Sequence, residues 1–252
     1  MRTSPYGAWF APLTPRPDAE VRLVCLPYAG GGATIYRGWS EILPAEVEVV
    51  PVQLPGREWR LKERPLRRME DVVAALSTEI EPLTDRPFAL FGHSMGALIG
   101  FELTRALRRR GGAMPQHLFV SGHSAPQRGD LRRDRPYHAA PDDEFVAMLR
   151  AMNGTPPGVL DHPELLELIL PALRADFELC ERYVCEPDAP LDVPVTALAG
   201  IADPLVPPDA VEPWRQQTTA AFSLRVLPGG HFFLNESRDL VLRIVVNALF
   251  AR

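Results

Sequence analysis

Ser94 stands between Gly92 and Gly96 in "FGHSMG", and a serine hydroxyl becomes a nucleophile only when other residues supply a base, an orienting acid and an oxyanion site. The pattern G-x-S-x-G alone is weak, since composition produces it about once in twelve chains of this length. Its surroundings carry the reading. "FALF" before it is a short buried-strand pattern. After it, Leu98, Ile99, Phe101, Leu103 and Leu107 recur at helical spacing up to Arg108-Arg109-Arg110-Gly111-Gly112, a basic last turn followed by glycine that reads as a helix stop. Ser94 is therefore expected on a sharp strand-to-helix turn, where two glycines relieve crowding and leave the hydroxyl projecting at the sheet edge. The Met95 N–H would point the same way, at a helix N-terminus that favours negative charge.

Six histidines could serve as base. His117, His138 and His162 fall in loop-like patterns and read as solvated. His93 adjoins the nucleophile but should diverge from it on the turn. His123 ends a strand pattern and is a candidate supporting group. His231 stands out in "LPGGHFFLNES", where a strand ends at two glycines and a loop precedes the last helix. The acid should come from a strand end between the serine and the histidine. "PVTALAGIADPLVPPDAV" supplies Asp203, with Asp209 as the alternative beyond two prolines. An aspartate there fixes the imidazole tautomer and stabilises the imidazolium. A second oxyanion donor is expected in "CLPYAGGGA", whose glycines let backbone approach a substrate closely; Ala29 is assigned beside Met95. Reading Gly30–Gly32 as a phosphate loop fails the G-x-G-x-x-G and Walker patterns.

The elements that must position these groups follow from alternation. Short apolar runs at 21–27, 47–55, 88–93, 117–123, 195–200 and 222–229 are separated by helical patterns such as Met69, Val72, Val73, Leu76, Ile80 and Leu83. That is the signature of an α/β fold, a mostly parallel sheet with helices on both faces. Residues 1–20, with four prolines, read as an extended lead-in; 21–125 and 191–252 read as the sheet core. Residues 126–190 break the alternation with a charged loop and two helical patterns, around Phe145–Met152 and Pro163–Tyr183, the second expected to kink at Pro171. Leu165, Leu166, Leu168, Ile169, Leu170 and Leu173 make it apolar on more than one face, as suits either a buried structural helix or a helical lid over an apolar pocket.

Composition bounds the alternatives. The 252 residues are 46% hydrophobic and 23% charged, ordinary values for a globular chain. A net charge of −5 argues against nucleic-acid binding, which rests on a basic surface. No apolar run is long enough to span a bilayer, and the first residues lack the apolar segment of a secretory signal, so a cytoplasmic protein is expected. Cys25, Cys180 and Cys185 are odd in number, lack metal-ligand spacing, and read as reduced packing residues; no metal and no cofactor are expected.

Taken together, "LVCLPYAGGGATIYRGWSEILP", "VVPVQLPGREWR", "ALFGHSMGALIGFEL", "FVSGHSAP" and "LPGGHFFL" resemble the type II thioesterases, discrete α/β-hydrolases that accompany polyketide and non-ribosomal peptide synthases. The resemblance runs from about Trp9 to the last helix. It implies release of acyl groups from the phosphopantetheine arm of acyl or peptidyl carrier proteins, by a monomeric enzyme. Ser94, Asp203 and His231 match the family's triad positions, and Ala29 and Met95 its oxyanion-hole loops. Two departures stand out. Tyr28 occupies a position where many members have His, so no side-chain role is carried over, and "GIADPL" has one acid where members often have two adjacent ones.

The chemistry agrees with such a reaction, since a thiol of pKa near ~8.5 leaves without much acid assistance. A carrier protein is commonly acidic, so docking on this acidic chain would need a local basic patch. "REWRLKERPLRR" (57–68), with six basic residues against two acidic, and "RGDLRRDR" (128–135), with four against two, are the candidates. An esterase acting on free small-molecule esters would use the same triad. A non-catalytic scaffold on this fold would lack part of it.

Overall fold

Leu23 and Cys25 are buried against one apolar cluster while Val24 and Leu26 are buried against another, so the first strand is covered on both faces. Such near-continuous apolar strands belong to parallel sheets sandwiched by helices. The computed structural model describes residues 6–11, 14–129, 135–155 and 157–250. Its sheet contains β1 (Val21–Leu26), β2 (Val47–Pro51), β3 (Phe88–His93), β4 (His117–Ser121), β5 (Val195–Gly200) and β6 (Phe222–Leu227). Every neighbouring pair is parallel, in the order β2-β1-β3-β4-β5-β6. All six strands lie where the apolar runs placed them.

The helices are α1 (Trp39–Ile42), α2 (Met69–Glu79), α3 (Met95–Arg109), α4 (Asp142–Met152) and α5 (Pro157–Leu160). They continue with α6 (Pro163–Arg182), α7 (Pro208–Val211), α8 (Phe233–Glu236) and α9 (Arg238–Phe250). One face of the sheet packs on α2 and α3 through Met69, Val72, Leu76, Leu98 and Phe101. The other packs on α1 and α9 through Trp39, Val241, Leu242 and Val245.

Between β4 and β5 the chain leaves the sheet and builds α4, α5 and α6 around a small core of their own, with Phe145, Met148, Leu149, Leu160 and Leu173 buried. Helix α6 bridges this core and the main one, because Leu179, three turns beyond Ile169, is buried among sheet-side residues. The helix is continuous through Pro171, whose missing N–H removes one bond without ending it. Its apolar character is not fully buried, however. Leu165 and Leu168 are 44% and 49% exposed, so the first half of α6 turns leucines to solvent and only the second half is a core helix.

Candidate active site

β3 ends at His93 and α3 begins at Met95, so Ser94 alone makes the turn, with φ 52° and ψ −118°. A positive φ is uncommon and costly for a residue with a Cβ, and is held here by its surroundings. The Ser94 amide donates to the Ser121 carbonyl at 2.7 Å, tying the turn to the end of β4. The flanking glycines are required sterically. A Cβ on Gly92 would collide with the Gly96 carbonyl, and one on Gly96 with the Leu26 carbonyl.

Three side chains from different strand ends meet at this turn. His231 follows β6, and its Nε2 lies 3.1 Å from Ser94 Oγ. Its Nδ1 lies 2.8 Å from Oδ2 of Asp203, which follows β5. The other carboxylate oxygen, Oδ1, accepts the Leu205 and Val206 amides at 2.8 and 3.0 Å. An acceptor-only carboxylate makes Nδ1 the donor, which leaves Nε2 free to accept the Ser94 proton. The Asp203 side chain is fully enclosed while that of His231 is 11% exposed, so solvent reaches the imidazole but not the carboxylate. Asp209 sits apart, exposed in the first turn of α7.

The remaining histidines sort themselves by contact. His93 turns away from Ser94 and bonds Ser121 Oγ through Nδ1 at 2.9 Å; burial holds it well below the ordinary imidazole pKa, so it stays neutral behind His231. His123 is buried beside the site, its Nδ1 donating to the Ser124 carbonyl at 2.7 Å. Two expectations of solvation fail. His117 is on β4, stacked on Phe119 and bonded through Nε2 to Thr196 Oγ1 at 2.8 Å, with its pKa pushed down by burial to about 4. His138 is bonded through Nδ1 to Glu181 at 2.6 Å. Only His162, preceding α6, is exposed. A histidine pattern cannot disclose a cross-strand threonine or a glutamate 43 residues away.

The Ala29 and Met95 amides donate to no other group among the described residues. Ala29 and Ser94 both line a cavity of about 150 Å³ whose apolar walls include Met152, Phe177, Leu205 and Val206, with Glu181 and Ser124 as polar members. A second cavity, of about 50 Å³, reaches Ser94 from the side of Tyr28, Leu173 and Phe232. Cys180 lines the larger cavity, and burial raises its thiol pKa, so this cysteine borders the site rather than only packing the core. Among the described residues no group of His, Cys, Asp and Glu side chains could hold a metal ion, and no helix is long and apolar enough to cross a membrane.

The basic stretch 57–68 is only partly a surface patch. Arg57 is withdrawn into a buried pair with Asp176, and Arg60 lies buried over the Trp9 ring, 4.2 Å from its centroid, while bonded to Glu63. The second candidate, 128–135, falls largely outside the described residues.

A parallel sheet in this order, with a serine on a β3–α3 turn met by a histidine and an aspartate from later strand ends, defines the α/β-hydrolase fold. The thioesterase domain family matches residues 21–249. The gramicidin S biosynthesis protein GrsT of Aneurinibacillus migulanus is 46% identical over 246 residues, covering 98% of this chain and 95% of that protein. The RedJ thioesterase of the prodiginine pathway in Streptomyces coelicolor superposes with a TM-score of 0.84 at 46% identity, covering 94% of this chain and 87% of that one. BorB, a type II thioesterase of the borrelidin cluster, superposes with a TM-score of 0.88 at 37% identity over 99% of both chains. The chain belongs to the thioesterase family, among the type II thioesterases of polyketide and non-ribosomal peptide synthesis, and is a serine hydrolase of thioesters.

Proposed function

We propose that the chain releases acyl groups from the phosphopantetheine arm of acyl or peptidyl carrier proteins through an acyl-Ser94 intermediate. The observation that carries this reading is the Ser94–His231–Asp203 chain of contacts, 3.1 and 2.8 Å, opening on an apolar cavity. His231 Nε2 takes the Ser94 proton as Oγ adds to the thioester carbonyl. The oxyanion is held by the Ala29 and Met95 amides, Met95 lying at the start of α3 where first-turn N–H groups have no helical partner. Collapse expels the thiolate, which takes its proton from the imidazolium. Water then attacks the acyl ester with His231 again as base, and a second collapse returns Ser94 and the free acid.

Residues 126–190 serve as a helical lid in this reading, since α4 and α6 supply Met152 and Phe177 to the cavity. The larger cavity takes the acyl group and the smaller one the end of the arm. A void of about 150 Å³ accommodates a benzene-sized molecule, so acyl groups of up to about six heavy atoms are the favoured cargo. Clearing short acyl groups from misprimed or stalled modules fits that size. The protein acts as a monomer in the cytoplasm, where its three free thiols stay reduced.

The test is release of acetyl, propionyl, hexanoyl and decanoyl groups from a loaded carrier protein by wild type and Ser94→Ala. Turnover by wild type alone, falling beyond hexanoyl, is the expected result. Cleavage of free esters with no release from the carrier would replace this reading with that of an esterase.

A further inference from the structure

The loop that carries Ala29 is held from below by the segment 53–58 and from above by α6. Gln53 Oε1 accepts the Ala33 amide at 2.9 Å, and Glu58 Oε1 accepts the Thr34 amide at 3.2 Å. Asp176 of α6 reaches down so that its Oδ2 accepts the Gly30 amide at 2.7 Å. The same carboxylate receives a two-pronged contact from Arg57, Nη1 to Oδ2 at 2.5 Å and Nη2 to Oδ1 at 2.8 Å. Arg57 Nη1 also donates to the Gly31 carbonyl at 3.2 Å. The side chains of Arg57 and Asp176 are 8% and 1% exposed.

We infer that Arg57 and Asp176 are positioning residues that aim the Ala29 amide into the oxyanion site and do so only while α6 is docked. The inference rests on the proposed role of Ala29 and extends it to a residue of the lid. Two peptide planes flank Ala29, and both are pinned. The Ala29–Gly30 plane is fixed by the bond from the Gly30 N–H to Asp176. The Tyr28–Ala29 plane is fixed at its carbonyl, which accepts the Gly31 amide at 2.9 Å. In a trans peptide the carbonyl and the N–H point in opposite directions, so holding the Tyr28 oxygen sets the heading of the Ala29 N–H. Gly31 is in turn gripped by Arg57.

Helix α6 makes the arrangement conditional. Gly30 has φ +79°, and a Cβ there would collide with Leu173, so the helix lies directly on the loop. Asp176 is followed in sequence by Phe177, a wall of both cavities. A group that seats against Phe177 therefore bears on the same helical turn that holds Gly30. A charged pair this enclosed contributes little net stability compared with apolar residues of the same volume, so its main effect is the geometry it enforces.

The test uses the full-length enzyme, after wild type and Ser94→Ala have established turnover of acetyl and propionyl N-acetylcysteamine thioesters. Arg57→Met, Asp176→Ala and Asp176→Asn are compared with Leu179→Ala, which thins the buried face of the same helix and removes no hydrogen bond to the loop. The readouts are kcat, KM, thermal midpoint and affinity for a short alkyl trifluoromethyl ketone, whose adduct with Ser94 places an oxyanion in the same site. Arg57→Met and Asp176→Ala are expected to lower kcat by about 10²-fold at unchanged KM and to weaken the ketone by a similar factor. Asp176→Asn, which keeps an acceptor for the Gly30 amide, should lose less than Asp176→Ala. Leu179→Ala should lower the thermal midpoint and keep kcat. If a single variant fails to fold, Arg57→Met/Asp176→Leu decides on the same readouts, because an apolar pair leaves no buried charge unpaired. Folded variants with wild-type kcat and ketone affinity, or losses that merely track those of Leu179→Ala, would overturn the inference. Absence of Ser94-dependent turnover in wild type would instead overturn the proposed function.

Discussion

Asp203 and His231 leave the ends of the neighbouring parallel strands β5 and β6 and meet at 2.8 Å, while the far oxygen of the carboxylate is held by two backbone amides. That asymmetry fixes what an asparagine would do at 203. Its carbonyl oxygen must face the two backbone N–H groups, so its NH₂ must face His231 Nδ1. The imidazole would then carry its proton on Nε2, against Ser94. Asp203→Asn is accordingly expected to lower kcat by about 10⁴-fold with little loss of stability, and Asp209→Asn to leave kcat unchanged. Steady-state hydrolysis of a short acyl thioester measures both; damage from the second substitution would move the acid to Asp209.

Gly96→Ala should fail for a backbone reason. The new methyl would press on the Leu26 carbonyl, which belongs to the sheet and cannot swing aside. A loss of roughly 3 kcal/mol is expected, equivalent to a fall of about 6–12 °C in the melting temperature for a chain of this size. Scanning calorimetry reads this directly.

Phe177→Ala should enlarge the cavity proposed to hold the acyl group. Each methylene accommodated in an apolar pocket is worth about 1–3 kcal/mol, so decanoyl release should gain at least roughly tenfold relative to acetyl release. An unchanged chain-length profile would place the acyl group elsewhere.

His117 gives the stability a pH dependence unrelated to catalysis. Its folded-state pKa is pushed down to about 4, below the unfolded imidazole value near ~6.5. The unfolded chain therefore binds the proton first, and stability falls as pH drops from about 6.5 toward 4, by on the order of 3 kcal/mol. Above that window both states are neutral and the effect vanishes. Buried His93 acts in the same direction. His117→Gln should flatten the slope of unfolding free energy between pH 6.5 and pH 4, measured by urea titration.

Much of the site was legible because its chemistry is local. Ser94, Asp203 and His231 each sit just past a strand, beside glycines or prolines that mark the turn, and the strands announce themselves as short apolar runs. What escaped notice is held by partners far away in sequence. Arg57 reads as one more charge in a basic run, yet its partner Asp176 is 119 residues distant. His117 reads as a solvated loop residue because nothing local reveals Thr196 across the sheet. Helix α6 reads as apolar on more than one face, and only the packing of its second half decides which leucines remain in water. Periodicity reports local propensity, whereas pairing of buried charges is a property of the finished fold.

The backbone of Ser94 shows where folding and turnover pull against each other. At φ 52° and ψ −118° the position suits glycine better than any residue with a side chain. Ser94→Gly should thus relax the turn and stabilise the chain by about 1 kcal/mol, or roughly 2–4 °C, while abolishing hydrolysis. Drift toward greater robustness at this one position would destroy the enzyme, so selection for the reaction must continually oppose selection for the fold.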